Sequence, residues 1–295
     1  HSTERSTNQT SIRKSIKRTW DSFSNDPKEI FQEGMGAGFL HEYDEAVELF
    51  DRVDYLVIGV DDTKKDAWFY KAIALGELGR NEEAITVYKK LLEWDKKDAT
   101  IWNNLGYEYS EIEKFDESLK CYDKSIELDS KDPDVWANKA ESLMELERFD
   151  ESLNCINNAL EINPNYLDAL LIKSEILMEL EKVDETLVIC KKMIELKPDE
   201  PASWNNLGTA YLSLGDSKKS LECYEKGLKI DPSEEVLWYN KACVLSLLDR
   251  KEESLDALIV ATSIEPENLQ NIIDERDLEN IRRTERFQKL VNQSV

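Results

Sequence analysis

The chain is short of residues that interrupt regular structure. Seven prolines and ten glycines in 295 residues argue against a loop-rich, all-β design. Histidine is scarcer still, at His1 and His41, and neither an HExxH motif nor a His–Cys pair is present. The cysteines are Cys121, Cys155, Cys190, Cys223 and Cys243. Their odd count and the lack of CxxC spacing fit a reducing compartment, and hence the cytoplasm, better than a disulfide framework. No apolar run reaches the ~18 residues of a membrane span. No signal peptide is visible, and a start at His1 rather than Met reads as a trimmed chain. Positive charge is also under-represented: 38 basic against 62 acidic residues give a net charge of −24. Such a surface repels nucleic-acid phosphates and anionic lipid and favours basic partners.

What is present is periodicity. Trp68, Trp102, Trp136, Trp204 and Trp238 are separated by 34, 34, 68 and 34 residues, and Leu170 fills the skipped slot. Cys121, Cys155 and Cys223 keep the same beat, as do the two "DESL" stretches beginning at Asp116 and Asp150. With the Trp as position 4, the units are 65–98, 99–132, 133–166, 167–200, 201–234 and 235–268. "EYDEAVELF" gives a weaker first unit at 27–60, followed by four extra residues. Apolar or small residues at positions 4, 7, 8 and 11, then at 17, 20, 24, 27 and 30, predict two helices per unit. Turns fall near positions 15–16, as at Gly79-Arg80, and at 31–34. Pro164, Pro198, Pro232 and Pro266 all occupy position 32, where proline stops a helix.

"WNNLGYEY" at Trp102 and "WNNLGTAY" at Trp204, with the apolar positions that follow, resemble the tetratricopeptide repeat, W-x2-L-G-x2-Y, A-x3-F, A-x4-P. The resemblance covers about 27–268. It implies an all-α fold, an alpha-alpha superhelix of antiparallel helix pairs, whose concave side binds peptides. The chain departs from the pattern at position 20, which is Ser118, Ser152, Thr186, Ser220 and Ser254 in five units. These hydroxyls are expected to bond back to a carbonyl one turn earlier. Position 7 is Lys at Lys71, Lys139, Lys173 and Lys241, whose stems can still cover apolar surface. "GMGAG" at Gly34–Gly38 lies in the first helix of the weak unit with no strand before it, so it reads as a poorly formed repeat rather than a phosphate loop. The cysteines read as small packing residues, and no cofactor or metal is expected.

Two tails flank the units. Residues 1–26 lack the repeat. Within 1–20 five basic residues against Glu4 give +5 − 1 = +4, and "SIRKSIKRTW" is compatible with a short helix bearing Ile12, Ile16 and Trp20 on one side. Residues 269–295 are expected to form a capping helix through Ile272, Leu278, Ile281, Phe287 and Leu290.

Helix geometry separates scaffold from interface. At about 100° per residue, positions 2, 6, 9 and 13 point away from the packing face. In the family the resemblance implies that this side lines the groove. Over six units these positions hold nine acidic residues: Asp66, Glu77, Glu111, Asp134, Glu141, Glu145, Asp168, Glu175 and Glu179. None is Lys or Arg. The acid is concentrated in units 133–166 and 167–200. The next two units offer Ala202, Asn206, Thr209 and Ser213, then Val236, Asn240, Cys243 and Leu247. Position 6 is Asn at Asn104, Asn138, Asn206 and Asn240, and position 9 of unit 99–132 is Tyr107. An amide offers both donor and acceptor, which suits a partial ladder along a peptide backbone; bonds to neighbouring repeats are the alternative. The expected function is a non-catalytic scaffold holding an extended basic segment of a partner protein. A self-assembling scaffold, with the tail at 1–20 in a neighbour's groove, is the alternative. A chaperone cofactor gripping acidic tails ranks low, because it needs Lys and Arg on the same positions.

Overall fold

In a computed structural model of the protein, residues 25–59, 61–265 and 276–292 are described. The stripe of Ile12, Ile16 and Trp20 and the cap residue Ile272 lie outside the described residues. The chain divides into two compact units, 1–130 and 131–295.

The first unit contains α1 (Pro27–Phe39), α2 (Tyr43–Leu56), α3 (Asp62–Glu77), α4 (Asn81–Leu92), α5 (Ala99–Glu111) and α6 (Phe115–Leu128). The second contains α7 (Pro133–Glu145), α8 (Phe149–Ile162), α9 (Leu167–Glu179), α10 (Val183–Leu196), α11 (Pro201–Ser213), α12 (Ser217–Ile230), α13 (Glu235–Leu247) and α14 (Lys251–Ile264). A 3₁₀ turn (Arg276–Leu278), α15 (Glu279–Arg282) and α16 (Glu285–Asn292) follow. Within each unit, consecutive helices pack on one another, and the described residues contain no strand. The fold is all-α, of the alpha-alpha superhelix class.

Local chemistry sets the helix limits. Asp26, Asp61, Asp98 and Asp132 accept from the backbone N–H of Lys28, Lys64, Ile101 and Asp134, N-caps worth about 1 kcal/mol each. Every turn between the two helices of a pair carries a left-handed residue at position 15. It is Gly79 or Gly215 in two turns and His41, Glu113, Glu147, Glu181 or Asp249 in the others, with φ between 56° and 75°. The next N–H then donates to a carbonyl five residues back, as in Arg80 to Leu75 at 2.8 Å and Arg148 to Leu143 at 2.8 Å. This closure satisfies a helix carbonyl that would otherwise be orphaned.

Between the helices of a pair, position 8 meets position 24. A Cβ on Gly106 would lie 2.6 Å from the Tyr122 ring, and one on Gly208 would lie 2.5 Å from Tyr224. Gly34 stands in the same relation to Phe50, at 2.7 Å. "GMGAG" is therefore helix, and its first glycine is the packing residue of the first pair. Tyr122, Tyr224 and Phe50 are at most 2% exposed, and burial of each stabilises the fold by roughly 2–3 kcal/mol. The position 4 indoles reach back: Trp102, Trp204 and Trp238 donate Nε1–H to the carbonyls of Lys96, Pro198 and Pro232. Each of these acceptors is position 32 of the preceding repeat.

The position 20 hydroxyls divide. Ser118 and Thr186 bond back along their own helix, to Phe115 and Lys182. Ser152 and Ser254 instead cross to the first helix of the pair, to the carbonyls of Ala140 and Ala242. The position 7 lysines are not merely apolar stems. Lys71 pairs with Asp51 at 2.5 Å, Lys241 with Glu225 at 3.3 Å, and Lys173 donates to Asn157 at 2.7 Å. All three partners are position 25 of the preceding second helix. At the far end, Leu278, Ile281 and Phe287 are buried in one cluster with residues of α13 and α14. Asn280 there donates to the Ser246 carbonyl, and Arg286 pairs with Glu252 and Asp256.

Candidate functional site

The second unit carries most of the candidate groove. On α7 the buried residues are Val135, Ala137, Ala140, Ser142 and Leu143. Asp134, Glu141 and Glu145 are exposed, and Asn138 is half-buried. α9 buries Ala169, Leu170, Ser174, Ile176 and Leu177 and exposes Asp168, Glu175 and Glu179. Six carboxylates thus lie on the open side of two first helices that pack side by side. Among the described residues, Glu145, Glu175 and Glu179 form no ion pair. Packed atoms around the Glu175 carboxyl push its pKa up, and a hydrogen bond from Asn206 opposes the rise. Tyr166 hydrogen-bonds Asp134, and burial followed by the surrounding carboxylates raises the tyrosine pKa. On α11 and α13 the same side becomes neutral, with Val236 and Leu247 exposed and Cys243 buried.

The position 6 asparagines are already engaged. Asn206 donates Nδ2–H to Ser174 Oγ at 2.8 Å, and Asn240 donates to Asn205 Oδ1 at 2.8 Å. Asn205 in turn donates to Asn206 Oδ1 at 3.4 Å. The chain of amides runs across α9, α11 and α13. Position 5, which lies on the flank by helical angle, is part of it. In the first unit Asn104, half-buried on α5, hydrogen-bonds the buried Tyr88 hydroxyl, and Tyr107 is 46% exposed.

One acidic residue falls outside the groove positions. Glu108, at position 10 of α5, is 4% exposed and its Oε2 has no hydrogen-bond partner. Its other oxygen packs where a Cβ on Gly76 would sit, so the glycine of α3 makes room for it. Burial, then repulsion from Glu111 and Glu77, pushes its pKa up to about 7. The signal was available in the sequence: position 10 is elsewhere Ala74, Ser142, Ile176, Ala210 or Val244, small or apolar in every case.

The five cysteines form no disulfide and are buried. Burial pushes the thiols of Cys121 and Cys223 up to about 11 and that of Cys190 to about 12, so they stay protonated at neutral pH. The described residues hold no cluster of three metal-ligating side chains. No helix among them is long and apolar enough to cross a membrane.

Stacked helix pairs with a 34-residue beat, a Gly–aromatic contact within pairs and an indole-to-carbonyl bond between them define a helical repeat protein. The family profile described as "Tetratricopeptide repeat" matches residues 99–132, 133–166 and 201–234, and one described as "TPR repeat" matches 74–112. The chain thus carries tetratricopeptide repeats, a repeat typical of non-catalytic protein-interaction scaffolds. No curated protein matches by sequence. Among solved structures, a tetratricopeptide repeat protein from Parabacteroides merdae is similar over 91% of this chain and 100% of its own, with a TM-score of 0.70 and 15% identity. PilF of Pseudomonas aeruginosa is similar over 78% of this chain and 97% of its own, at TM-score 0.60 and 13% identity. A thermophilic tetratricopeptide repeat protein of Thermus thermophilus covers 61% of this chain and 98% of its own, at 0.53 and 20%. These likenesses concern the fold.

Proposed function

We propose that the protein is a non-catalytic adaptor, cytoplasmic in keeping with its reduced thiols, whose α7–α9 face holds an extended basic segment of a partner protein. Seven repeat units over 27–268 and a capping segment after them make up the scaffold in this reading. The observation that carries it is the row of six exposed carboxylates, Asp134, Glu141, Glu145, Asp168, Glu175 and Glu179, on adjacent first helices. A Lys or Arg docked between them brings opposite charge to a row of like charges. Asn138, Asn206 and Asn240 flank the same row. The amides of Asn206 and Asn240 bond to neighbouring repeats, so recognition rests on the carboxylates more than on an amide ladder.

Calorimetric titration with an acetylated, amidated peptide of alternating Lys and Ala tests this reading. Binding is expected to weaken steeply with salt and to fall about tenfold when Glu141→Gln and Glu175→Gln are combined. Affinity indifferent to both salt and the double substitution overturns the proposal. The charge of +4 on residues 1–20 supports a second reading, in which that segment occupies a neighbour's acidic row. Light scattering of the chain with and without residues 1–26 separates the two: an unchanged monomer in both cases ends the self-assembly reading.

A further inference from the structure

The second helices of the repeats span fourteen residues in α2, α6, α8, α10, α12 and α14, but α4 stops after twelve, at Leu92. Two substitutions accompany the early stop. Position 30, apolar and aliphatic at Leu128, Ile162, Leu196, Ile230 and Ile264, is Trp94. Position 32, proline in four units, is Lys96. Trp94 turns out of the helix to meet Trp68 edge-on at 5.6 Å, and its N–H bonds only three residues back, to Leu91. Beside the end of α4, which stops two residues short, about half a turn, lies a cavity of about 510 Å³ that α5 and α6 also line, within the range of small-molecule sites.

The floor of this cavity is apolar, formed by Leu92, Trp102, Leu105 and Tyr109. The indole of Trp102 is fixed by its bond to the Lys96 carbonyl, and Tyr109 lies under Lys89 at 5.3 Å. Three exposed lysines stand at the rim, Lys89, Lys96 and Lys120, and none is in an ion pair among the described residues. The two rim carboxylates, Glu93 and Glu117, leave the mouth net positive on a chain of net charge −24. One repeat on, the three lysine positions are Asp123, Ser130 and Asn154. Further on they are Asn157, Pro164 and Val188, then Lys191, Pro198 and Glu222, then Glu225, Pro232 and Asp256. No later seam has more than one base, so the arrangement is particular to α4–α6.

We infer that this cavity is a second binding site, separate from the acidic face, for an amphipathic anion: an aromatic or aliphatic body carrying carboxylate or sulfonate groups. The body fills the space beside the shortened end of α4, against the Trp102 and Tyr109 rings. The charged groups meet the three ammonium groups at the mouth, none of them in an ion pair among the described residues.

Anilinonaphthalene sulfonate is the probe, read by its own fluorescence and by quenching of tryptophan. One saturable site is expected, weakened by salt. Combining Lys89→Ala, Lys96→Ala and Lys120→Ala is expected to loosen it about tenfold without moving the thermal unfolding midpoint. Combining Glu93→Gln and Glu117→Gln is expected to tighten it, a gain that misfolding does not produce. The uncharged phenylnaphthylamine is expected to bind wild type and the lysine variant alike. Displacement of the dye by dodecanoate assigns the site to a free amphipathic acid. Displacement by an acetylated, amidated Glu-Phe-Glu-Leu peptide assigns it to a protein segment. Unsaturable dye binding, equal affinity in the lysine variant, or displacement by neither competitor overturns the inference.

Discussion

Glu108→Gln removes one ionisable group from the α3–α5 seam while keeping its shape. In the folded chain the carboxyl titrates near 7, against an ordinary 4.5. A folded-state pKa raised above the unfolded value means that the native state holds the extra proton between those two values. Stability is then greatest below about 4.5, declines as pH rises through the interval, and reaches its full deficit above about 7. At full strength the shift corresponds to about 3 kcal/mol. Local relaxation and water penetration on ionisation offset part of this, which leaves about 1–2 kcal/mol. Gln at 108 carries no such deficit. At pH about 8 the variant is expected to be the more stable by that amount, and at pH about 4.5 the two should coincide. Urea unfolding at both pH values measures the difference, with the slope unchanged. Amide exchange on α5 locates it, since repeat arrays open locally. All other titrations are common to both chains and cancel. A difference that is the same at the two pH values, or a variant no more stable at pH about 8, refutes the assignment of a buried, unpartnered carboxylate.

Three further outcomes test the scaffold. Gly208→Ala drives a methyl to within 2.5 Å of the Tyr224 ring and is expected to cost about 2–3 kcal/mol, read as a lowered thermal midpoint. Gly36→Ala, where nothing lies within 4 Å, is the control and should be neutral or stabilising. Gly79→Ala places a side chain at φ 68° and is expected to cost about 1 kcal/mol in chemical denaturation. Asn240→Ala leaves the half-buried Asn205 oxygen without its donor, and a loss of about 1 kcal/mol with faster amide exchange in α11 and α13 is the expected result.

The helix pairs were legible because packing repeats itself: each pair must bury the same face, so Trp102, Gly106 and Tyr122 recur as Trp204, Gly208 and Tyr224. The turn at position 15 was visible only where glycine advertised it, at Gly79 and Gly215. Glu113, Glu147 and Glu181 take the same left-handed conformation, and a glutamate's identity carries no record of its φ. The exposed carboxylates followed from helical angle, since exposure depends on which way Cβ points. The amide chain did not, because nothing in the spacing of Asn205, Asn206 and Asn240 says that their side chains turn along the array toward Ser174 rather than outward. Glu108 escaped notice for a related reason. Position 10 faces the neighbouring first helix, and its fit depends on Gly76, thirty-two residues away in sequence. The shortened α4 left its mark at Trp94 and Lys96, two departures from the repeat that mean little until the backbone shows the helix ending two residues early.

The line of amides from Ser174 through Asn206 and Asn205 to Asn240 has a mechanical consequence. Stacked helix pairs flex by hinging at the seams between neighbours, where apolar contacts slide at little expense. Hydrogen bonds do not slide: they resist separation over a fraction of an ångström. Placed on one side of three successive first helices, they act as ties in tension. The second unit should therefore yield more readily when these helices are pressed together than when they are drawn apart, much as a cord bends freely but does not lengthen.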